Sequence, residues 1–379
     1  MFLLLYRKLR AKFLHMTTNT SFGQFFLPGP TEVHPEVLEA MSRPMIAHRG
    51  KGMTDLLMGM DDGLRALFRT ERTPIIGTCA ATGFMEMAIR NGVKSRALSL
   101  VGGSFGKRFA AIGRACGREV ITLDVQLGEA VEPDMLRDAL KRSDVDAVTL
   151  VHSETSTGAL APLEQLAEVV REFDDVMLLV DAVTSMAGSP VETDKWELDF
   201  VLTGSQKALA LPPGLALAGY SERMIERAKK IPERGAYLDF PAYVDAAKDH
   251  QPTNTPGISS YYGLDAQLKR IEAEGGIEAR WDRHKAMRER VEEWILGKGG
   301  DLGLSYLPAE DRRSWTVSCL NVPDGKNGRD IQYALGDRGW TIASGYGDLK
   351  TSTIRLGHMG DHTVEELNSL LAVLEEVLS

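Results

Sequence analysis

Short apolar runs alternate with amphipathic stretches along most of the chain from about Thr73 onward. Six of these runs predict β-strands, because each is short and apolar and ends at a glycine or a polar turn: 97–101, 119–124, 147–152, 176–181, 200–203 and 215–220. Several lack polar alternation, which is typical of strands covered by helices on both faces of a mostly parallel sheet. Helical patterns such as 135–141 and 163–173 are long enough to be crossovers between parallel strands. The pattern therefore predicts an α/β fold.

The second half of the chain has a different pattern. A long helical stretch over 262–296 is interrupted at Gly275 and Gly276, which indicates a bridge into another domain. Strand-like and helical segments then alternate, at 315–322, 328–338 and 352–356. A last helix is predicted after Thr363, which has the spacing of a capping box and precedes a one-sided apolar face: Val364, Leu367, Leu371, Leu374 and Leu378. These elements predict a small α+β domain.

The chain length favours more than one domain, since 379 residues are about two and a half times the usual ~150 residues of a domain. We predict a flexible extension at 1–20, a large domain at 21–270 that contains the six strands, and a small domain at 271–379. About 25 residues at the start of the large domain are alternatively assigned to the small one. The chain has no internal repeat or Pro/Ser linker, so a shared interface between the domains is expected.

Charge and cysteine content narrow the class of protein. A net charge of −9 would repel a phosphate backbone, so nucleic acid is not an expected partner. The three cysteines form no C-x-x-C pair, which argues against a disulfide framework or a metal site and favours the cytoplasm. Residues 1–16 are basic, but their apolar run is too short for a signal peptide or a membrane span. We interpret them as an extension, or Met16 as the true start, with a weaker organellar-transit or membrane-surface alternative.

Two residues of opposite charge stand at the ends of predicted strands. Asp181 ends one apolar strand, and Lys207 follows another. The carboxyl ends of parallel strands line one crevice, where ligands bind. A lysine there can form a Schiff base with an aldehyde, and an aspartate can keep a pyridinium nitrogen protonated, as pyridoxal phosphate requires. A structural Asp–Lys salt bridge, or two unrelated surface charges, is an equally weighted alternative at this point.

Three further features suit a phosphorylated ring and its substrate. Small residues at 77–83 precede a helical pattern over 84–91, and free N–H groups there, helped by Thr82, would bind a phosphate; plain capping is the alternative. Phe105 lies in a glycine turn after a strand and could stack on a ring or belong to the core. Arg355 interrupts an apolar strand and could bind a carboxylate, or pair with a local acid.

A polar run from His152 to Gly158 follows another predicted strand. Its hydrogen-bonding side chains suit a polar ligand at a strand end. They suit a buried network of turns as well, and this alternative is slightly favoured when the run is considered alone.

Taken together, these segments resemble the class V aminotransferases of the fold-type I pyridoxal phosphate enzymes. The resemblance is greatest to the alanine/serine–glyoxylate (or pyruvate) group with its aminoethylphosphonate relatives. It covers nearly all of the chain after Met16, and its matching segments are Leu27-Pro28-Gly29-Pro30-Thr31, His48-Arg49, Glu154 to Gly158, Asp181, Gly204-Ser205-Gln206-Lys207-Ala208 and Arg355-Leu356-Gly357. The fold it implies is a mostly parallel sheet of the seven-stranded type, covered by helices, with a smaller C-terminal α+β domain.

The resemblance also implies residue roles. Lys207 would bind pyridoxal 5'-phosphate covalently and Asp181 would pair with its ring nitrogen. The other residues implied to contact the cofactor are Ala81, Thr82 and Gln206 at the phosphate, Phe105 on the ring, and Ser156 nearby. Gly29 and Arg355 would bind the substrate carboxylate. Thr255, in Asn254-Thr255-Pro256, would reach the phosphate of a partner subunit, which implies a homodimer with shared sites; Thr253 or Asn254 could substitute.

The implied activity is transfer of the amino group of alanine or serine to glyoxylate or pyruvate by a ping-pong mechanism. Other reactions of the same class stay open, namely 2-aminoethylphosphonate transamination, a lyase and a cysteine desulfurase. A desulfurase is disfavoured, because it needs a mobile cysteine and usually a ring-stacking histidine, whereas Cys319 lies in a predicted strand and Phe105 takes the ring position. A non-catalytic protein that binds a nucleotide or a sugar phosphate is a second alternative.

Overall fold

The computed structural model describes residues 22–379, so the predicted extension and the basic segment at 1–16 lie outside the described residues. Its strands are β1 (Ile75–Gly77), β2 (Arg96–Val101), β3 (Glu119–Asp124), β4 (Ala147–Val151), β5 (Ser153–Glu154), β6 (Ala159–Leu160), β7 (Met177–Asp181), β8 (Phe200–Gly204), β9 (Ala216–Tyr220), β10 (Ser305–Tyr306), β11 (Ser318–Asn321), β12 (Ala343–Ser344) and β13 (Thr353–Leu356). A seven-stranded sheet has the order β1-β9-β8-β7-β4-β2-β3, and a four-stranded sheet has the order β10-β11-β13-β12.

The α-helices surround both sheets. They span Pro35–Met41, Lys51–Phe68, Ala81–Gly92, Ser104–Ala115, Pro133–Arg142, Leu163–Arg171, Glu222–Lys229, Phe240–Lys248, Ile258–Glu274, Ile277–Trp294, Gly328–Gly336 and Val364–Leu378. Shorter helical turns lie at Ile295–Gly299, Glu310–Arg312 and Gly347–Leu349. Among residues 22–379, none of the helices has an apolar stretch long enough to span a bilayer.

The six predicted strands are confirmed, each bound lying within one residue of the prediction. The large sheet is mostly parallel, as predicted, but β9 runs antiparallel to both of its neighbours. Strand β1 was missed by the sequence analysis, because its three residues are too few to show a period. The long helical pattern is confirmed as two helices that meet at Gly275 and Gly276.

Alternation along each central strand explains why the large sheet is covered on both faces. In β7, Leu178 and Val180 belong to one apolar cluster, whereas Met177 and Leu179 belong to another. Successive side chains of a strand point to opposite faces, so the two clusters lie on opposite sides of the sheet. The predicted α/β fold with helices on both faces is therefore confirmed.

The four-stranded sheet has a core of its own, to which the start of the described chain contributes. Phe26 packs in this third apolar cluster with residues of the C-terminal helix. The backbone of residues 24–26 also bonds to the small sheet and its flanks, since Thr341 N–H donates to Gln24 O at 3.0 Å and Gly357 N–H donates to Phe26 O at 2.8 Å. These contacts attach the segment before the Gly29 turn to the small sheet, and the domain boundaries given above stay predictions.

The capping box at the C-terminal helix is confirmed. Thr363 Oγ1 accepts the Glu366 N–H at 3.3 Å, and the Glu366 carboxylate accepts the Thr363 N–H at 2.9 Å. The helix buries Leu367, Leu370, Leu371, Leu374 and Leu378. The predicted apolar face thus forms one wall of the third cluster, although Val364 at its start is only partly buried.

Replacing Leu371 by alanine tests the importance of this third cluster. Leu371 is 1% exposed, so we expect Leu371→Ala to lower the free energy of unfolding by about 2–5 kcal/mol, through lost burial and the cavity that remains. Urea unfolding followed by circular dichroism measures the change. Leu296→Ala is the matched control, since Leu296 is 89% exposed and its loss should cost less than about 0.5 kcal/mol. Equal effects of the two substitutions would contradict the packing described.

Candidate active site

The sheet brings Asp181 and Lys207 to the same edge. Asp181 is the last residue of β7, and Lys207 follows the end of β8, which is the parallel neighbour of β7. Both side chains are enclosed, with 4% of Asp181 and 6% of Lys207 exposed. Two groups of opposite charge therefore share a crevice at the carboxyl edge, as the strand pattern predicts.

Loss of water is the main cause of altered protonation in this pair. The pKa of the Lys207 amine is lowered to about 7, mainly by burial and also by the nearby Arg355 charge. Burial also raises the pKa of the Asp181 carboxyl to about 7, against a hydrogen bond from the Val183 N–H that lowers it. The attraction between the two groups opposes both shifts. An amine that loses its proton near neutral pH is suited to attack an aldehyde.

The N-terminal turn at Gly29 closes over the lysine. The Lys207 amine donates a hydrogen bond to the Pro28 carbonyl. A Cβ placed on Gly29 would lie 2.5 Å from Lys207 Cε, and the φ of +110° also favours glycine at this position. The Thr31 N–H donates to the Gln206 carbonyl at 3.0 Å, which holds the turn against the lysine loop. Gly29 therefore lies beside the amine, where a substrate carboxylate is expected.

A helix begins at the corner where a phosphate is expected. The helix Ala81–Gly92 follows Ala80, whose side chain provides no capping hydrogen bond. Thr82 is exposed in the first turn. A Cβ on Gly204 would lie 3.0 Å from the Ala81 Cβ and 2.7 Å from the Gln206 Oε1, so these two side chains adjoin the same glycine. Uncapped N–H groups at a helix start are a favourable seat for an anion.

Phe105 borders the lysine and is not part of the core. Its ring is half-buried at the start of the helix Ser104–Ala115, and the Lys207 amine lies 5.9 Å from the ring centroid. Tyr346 approaches it from the small-sheet side with ring centroids 5.9 Å apart, and Arg108 lies over the ring at 4.8 Å. The ring is therefore placed to stack on a flat ligand bound to Lys207.

The polar run after β4 forms the buried network that was the slightly favoured alternative. His152 Nδ1 and Ser185 Oγ lie 2.9 Å apart, and Ser153 Oγ and Ser314 Oγ lie 2.8 Å apart. Ser156 Oγ accepts the Ser104 N–H at 3.0 Å, next to the Phe105 turn. Ser156 is therefore part of a network of turns that borders the crevice.

Arg355 is buried and bound to carbonyl groups. Its Nε and Nη1 donate to the carbonyls of Ser344 and Thr155, each at 3.1 Å. The alternative of a salt bridge to a local acid is wrong within residues 22–379, where no carboxylate lies within ion-pair distance of this guanidinium. Because carbonyl groups leave its charge uncompensated, the arginine can bind a carboxylate ligand.

Thr255 is exposed, and its segment contacts Thr78, in the loop before the helix Ala81–Gly92 where the phosphate is expected. The Gly257 N–H donates to Thr78 Oγ1 at 2.9 Å, and Asn254 Nδ2 donates to the Tyr243 hydroxyl at 3.5 Å. The contact of Thr255 with the phosphate of a partner subunit stays a prediction.

The sequence analysis missed two groups at the site. The Pro28 carbonyl accepts from Lys207 through its backbone, which leaves no signal in a side-chain pattern. Tyr346 stands between two glycines ahead of β13, and Arg355 lies 5.5 Å from its ring centroid. Two flanking glycines favour a tight turn, and an aromatic residue in such a turn is a candidate ligand contact. The sequence therefore contained a signal for Tyr346, which the prediction did not use.

The residues of the crevice fit pyridoxal 5'-phosphate. An enclosed amine, a carboxylate on the next strand, a half-buried aromatic ring and an uncapped helix start are the groups that its aldehyde, ring nitrogen, ring and phosphate require. Gly29 and Gly204 also line the crevice. A side chain at either position would fill part of it, because an added Cβ would lie 2.5 Å from Lys207 Cε or 2.7 Å from Gln206 Oε1.

The lowered Lys207 pKa predicts a pH-dependent stability of the protein without cofactor. The folded pKa of about 7 lies below the ordinary 10.5, so the unfolded chain binds more protons between these values and stability rises with pH. We expect the wild type to gain stability relative to Lys207→Met from about pH 7.5 to about pH 9.5, by up to about 1.4 kcal/mol per pH unit. Urea unfolding of both proteins measures the difference. Parallel stability curves would contradict the assigned pKa.

Comparison with known proteins identifies the family. The family model "Aminotransferase class-V" matches residues 104–368. An uncharacterized aminotransferase of Methanocaldococcus jannaschii is 37% identical over 93% of this chain and 91% of its own length. The structure of alanine–glyoxylate aminotransferase from Nostoc sp. has a TM-score of 0.86 and 32% identity, over 94% of this chain and 95% of that one. That of a subgroup IV aspartate aminotransferase from Thermus thermophilus has a TM-score of 0.85 and 32% identity, over 93% and 98%. The chain therefore belongs to the class V aminotransferases, and it is a transaminase whose cofactor is pyridoxal 5'-phosphate.

Proposed function

We propose that the protein transfers the amino group of a small amino acid, alanine or serine, to glyoxylate or pyruvate by a ping-pong mechanism. The observation that carries the proposal is the enclosed Lys207 amine, with its pKa lowered to about 7, between the Gly29 turn and Asp181. The likeness to the Nostoc alanine–glyoxylate enzyme supports the pair of substrates. The aspartate enzyme from Thermus is equally similar, so the donor is the less constrained half of the proposal.

Lys207 moves the proton in this scheme. When bound, pyridoxal phosphate supplies an electron-withdrawing ring that stabilises the charge left when the substrate α-proton departs. The Lys207 Nζ, as a free amine, would accept that proton as a general base. An amine with a pKa near the working pH can both take the proton and return it to another carbon.

Asp181 and Arg355 hold the reacting groups in place. The Asp181 carboxylate would accept the hydrogen bond of the ring nitrogen, and a positive partner there would lower the raised pKa of this carboxyl. The Arg355 guanidinium and the Gly29 backbone would bind the substrate carboxylate. Ala81, Thr82 and Gln206 would bind the phosphate, with Phe105 stacked on the ring and Ser156 nearby.

A homodimer with shared sites belongs to the same proposal. Thr255 would reach the partner's phosphate, which is supported by its exposure and by the contact of its segment with Thr78. Met45 and Met58 are exposed apolar residues that suit an interface. We also propose a cytoplasmic location, since Cys79, Cys116 and Cys319 are free thiols.

The alternatives differ in their support. A non-catalytic binding protein is excluded by membership of the transaminase family. A cysteine desulfurase is disfavoured by Cys319, since it is buried in β11 and burial raises the pKa of its thiol to about 11. Transamination of 2-aminoethylphosphonate remains the second candidate among class V reactions, because an anionic phosphonate could also bind Arg355.

A panel of amino donors crossed with oxo-acid acceptors tests the substrates. Each of alanine, serine, aspartate and 2-aminoethylphosphonate would be paired with glyoxylate, and all except alanine also with pyruvate, because alanine and pyruvate exchange without a net product. The new amino acid would be quantified by chromatography. We expect the highest kcat/KM for alanine with glyoxylate, or for serine with glyoxylate or pyruvate. A preference of about tenfold or more for aspartate or the phosphonate would overturn the proposed donor while leaving the transaminase assignment intact.

Replacing the lysine tests the proton transfer. We expect Lys207→Ala to lower kcat by at least about a thousandfold, because the covalent anchor and the general base are lost together. Steady-state assays with the best donor measure this. Lys195→Ala is the control, since Lys195 is an exposed lysine that should leave kcat unchanged. Turnover of Lys207→Ala at the wild-type rate would exclude the role of this lysine.

Replacing the arginine separates substrate binding from cofactor binding. We expect Arg355→Ala to raise the KM for the amino donor by about 10–100-fold, since a charge-assisted contact with its carboxylate is lost. The affinity for the cofactor, measured by absorbance titration, should change by less than about threefold. Arg355→Lys should recover only part of the loss, because lysine lacks the planar fork. A larger effect on the cofactor than on the donor would contradict the assignment.

A further inference from the structure

Glu154 is a buried carboxylate that no step of the proposed reaction uses. It ends β5, is 4% exposed and accepts hydrogen bonds from two separate turns. Its Oε2 accepts the N–H groups of Phe105 and Gly106 at 3.0 and 3.1 Å. Its Oε1 accepts the N–H of Ser156 at 3.1 Å and also the Ser156 hydroxyl. Both oxygens are thus used, and each of them holds a different turn.

The first of these turns begins a helix that has no cap of its own. The helix Ser104–Ala115 follows Gly103, which has no side chain to accept the first N–H groups. Glu154 supplies the missing acceptor, and its negative charge lies at the positive end of the helix dipole. A Cβ on Gly103 would lie 2.5 Å from the Glu154 Cγ and 2.5 Å from the Ser156 Oγ. This turn therefore requires glycine, because the carboxylate is packed directly against its backbone.

The two turns held by Glu154 present the groups assigned to the cofactor ring. Phe105 carries the ring 5.9 Å from the Lys207 amine. Ser156 accepts the Ser104 N–H at 3.0 Å, so the second turn is also tied to the first. Gly106 also packs closely on the end of β2, since a Cβ there would lie 2.9 Å from the Leu100 carbonyl oxygen. The position of the Phe105 ring relative to the Ser156 turn thus depends on two side chains, that of Glu154 with four hydrogen bonds and that of Ser156 with one direct bond to the first turn.

We propose that Glu154 is a positioning residue, whose carboxylate holds the Phe105 turn and the Ser156 turn in the arrangement in which they contact the cofactor, without touching the cofactor itself. The inference rests on the proposed assignment of Phe105 and Ser156 to the cofactor. Its charge also acts on the site, since Glu154 raises the pKa of both Lys207 and Asp181.

Glu154→Gln tests the proposal, because glutamine keeps the shape and replaces one accepting oxygen by a donor. Glu366→Gln is the matched control, since Glu366 likewise accepts a backbone N–H at a helix start, that of Thr363 at 2.9 Å. Three quantities would be measured for each protein: the melting temperature without cofactor, the Kd for pyridoxal phosphate by absorbance titration, and the visible circular dichroism of the bound cofactor.

We expect both substitutions to lower the melting temperature and only Glu154→Gln to change the cofactor site. The Kd should rise by about tenfold or more in Glu154→Gln, since two hydrogen bonds to a charged group are lost, and the visible dichroism should decrease because the ring contacts loosen. Glu366→Gln should keep the wild-type Kd and dichroism. If Glu154→Gln does not fold, Glu154→Asp decides instead, because it keeps the charge on a shorter side chain and should weaken cofactor binding by a smaller factor.

Wild-type Kd and dichroism in the folded Glu154 variant would overturn the inference, as would equal losses in Glu366→Gln. These outcomes differ from a failure of the proposed function. If the wild type itself bound no pyridoxal phosphate, or if Lys207→Ala kept the imine absorption band of the wild type, then the assignment of the site would fail first.

Discussion

The burial of an amine next to a carboxylate is the constraint on which the rest of the structure depends. Removing Lys207 and Asp181 from water disfavours both charges, which is why the pKa values of the two groups move towards each other, to about 7. Such a pair costs stability, and a protein of this size can offset the cost with the apolar clusters on both faces of the large sheet. The same desolvation makes the amine nucleophilic near neutral pH, so the costly arrangement is also the reactive one.

The crevice is built from both ends of the chain and from both sheets. The large sheet supplies Asp181 and Lys207, whereas β13 of the small sheet supplies Arg355. The turn at Gly29 closes over the lysine, and the residues just before it bond to the flank of the small sheet. Both groups also bond to the large-sheet side, since the Thr31 N–H donates to the Gln206 carbonyl and Arg355 Nη1 donates to the Thr155 carbonyl. The two groups assigned to the substrate carboxylate therefore lie where the small sheet meets the large one, while the groups assigned to the cofactor belong to the large-sheet side.

The strands of the large sheet were predicted well because their short apolar runs end at a glycine or a polar turn and alternate with helical patterns. The six apolar runs were identified within one residue, and the parallel order placed Asp181 and Lys207 at one edge. The antiparallel β9 could not be predicted, because strand direction depends on the connection and not on the apolar residues of the strand. Strand β1 and the Pro28 carbonyl were missed for a related reason, since one is too short for a period and the other acts through the backbone.

The polar run after β4 shows the limit of reasoning from residue types alone. Its residues suited both a ligand and a buried network, and the structure shows the network with Ser156 at the border of the crevice. Glu154 matched the family pattern, but its contacts with the Phe105 turn join residues that are 49 positions apart. No local pattern contains such a contact. Likewise, Arg355 bonds to the carbonyls of Ser344 on the neighbouring strand and of Thr155, 200 positions away, whereas the sequence offered a carboxylate ligand or a local acid as its partner.

Borohydride reduction of the protein loaded with pyridoxal phosphate tests the central claim most directly. The reduction fixes the cofactor to whichever amine holds it, and peptide mapping by mass spectrometry then identifies that residue. The account predicts one modified peptide, with the label on Lys207 in near-stoichiometric amount. A label spread over exposed lysines, or located on a different single lysine, would contradict the claim that the buried amine beside Asp181 is the anchor of the cofactor.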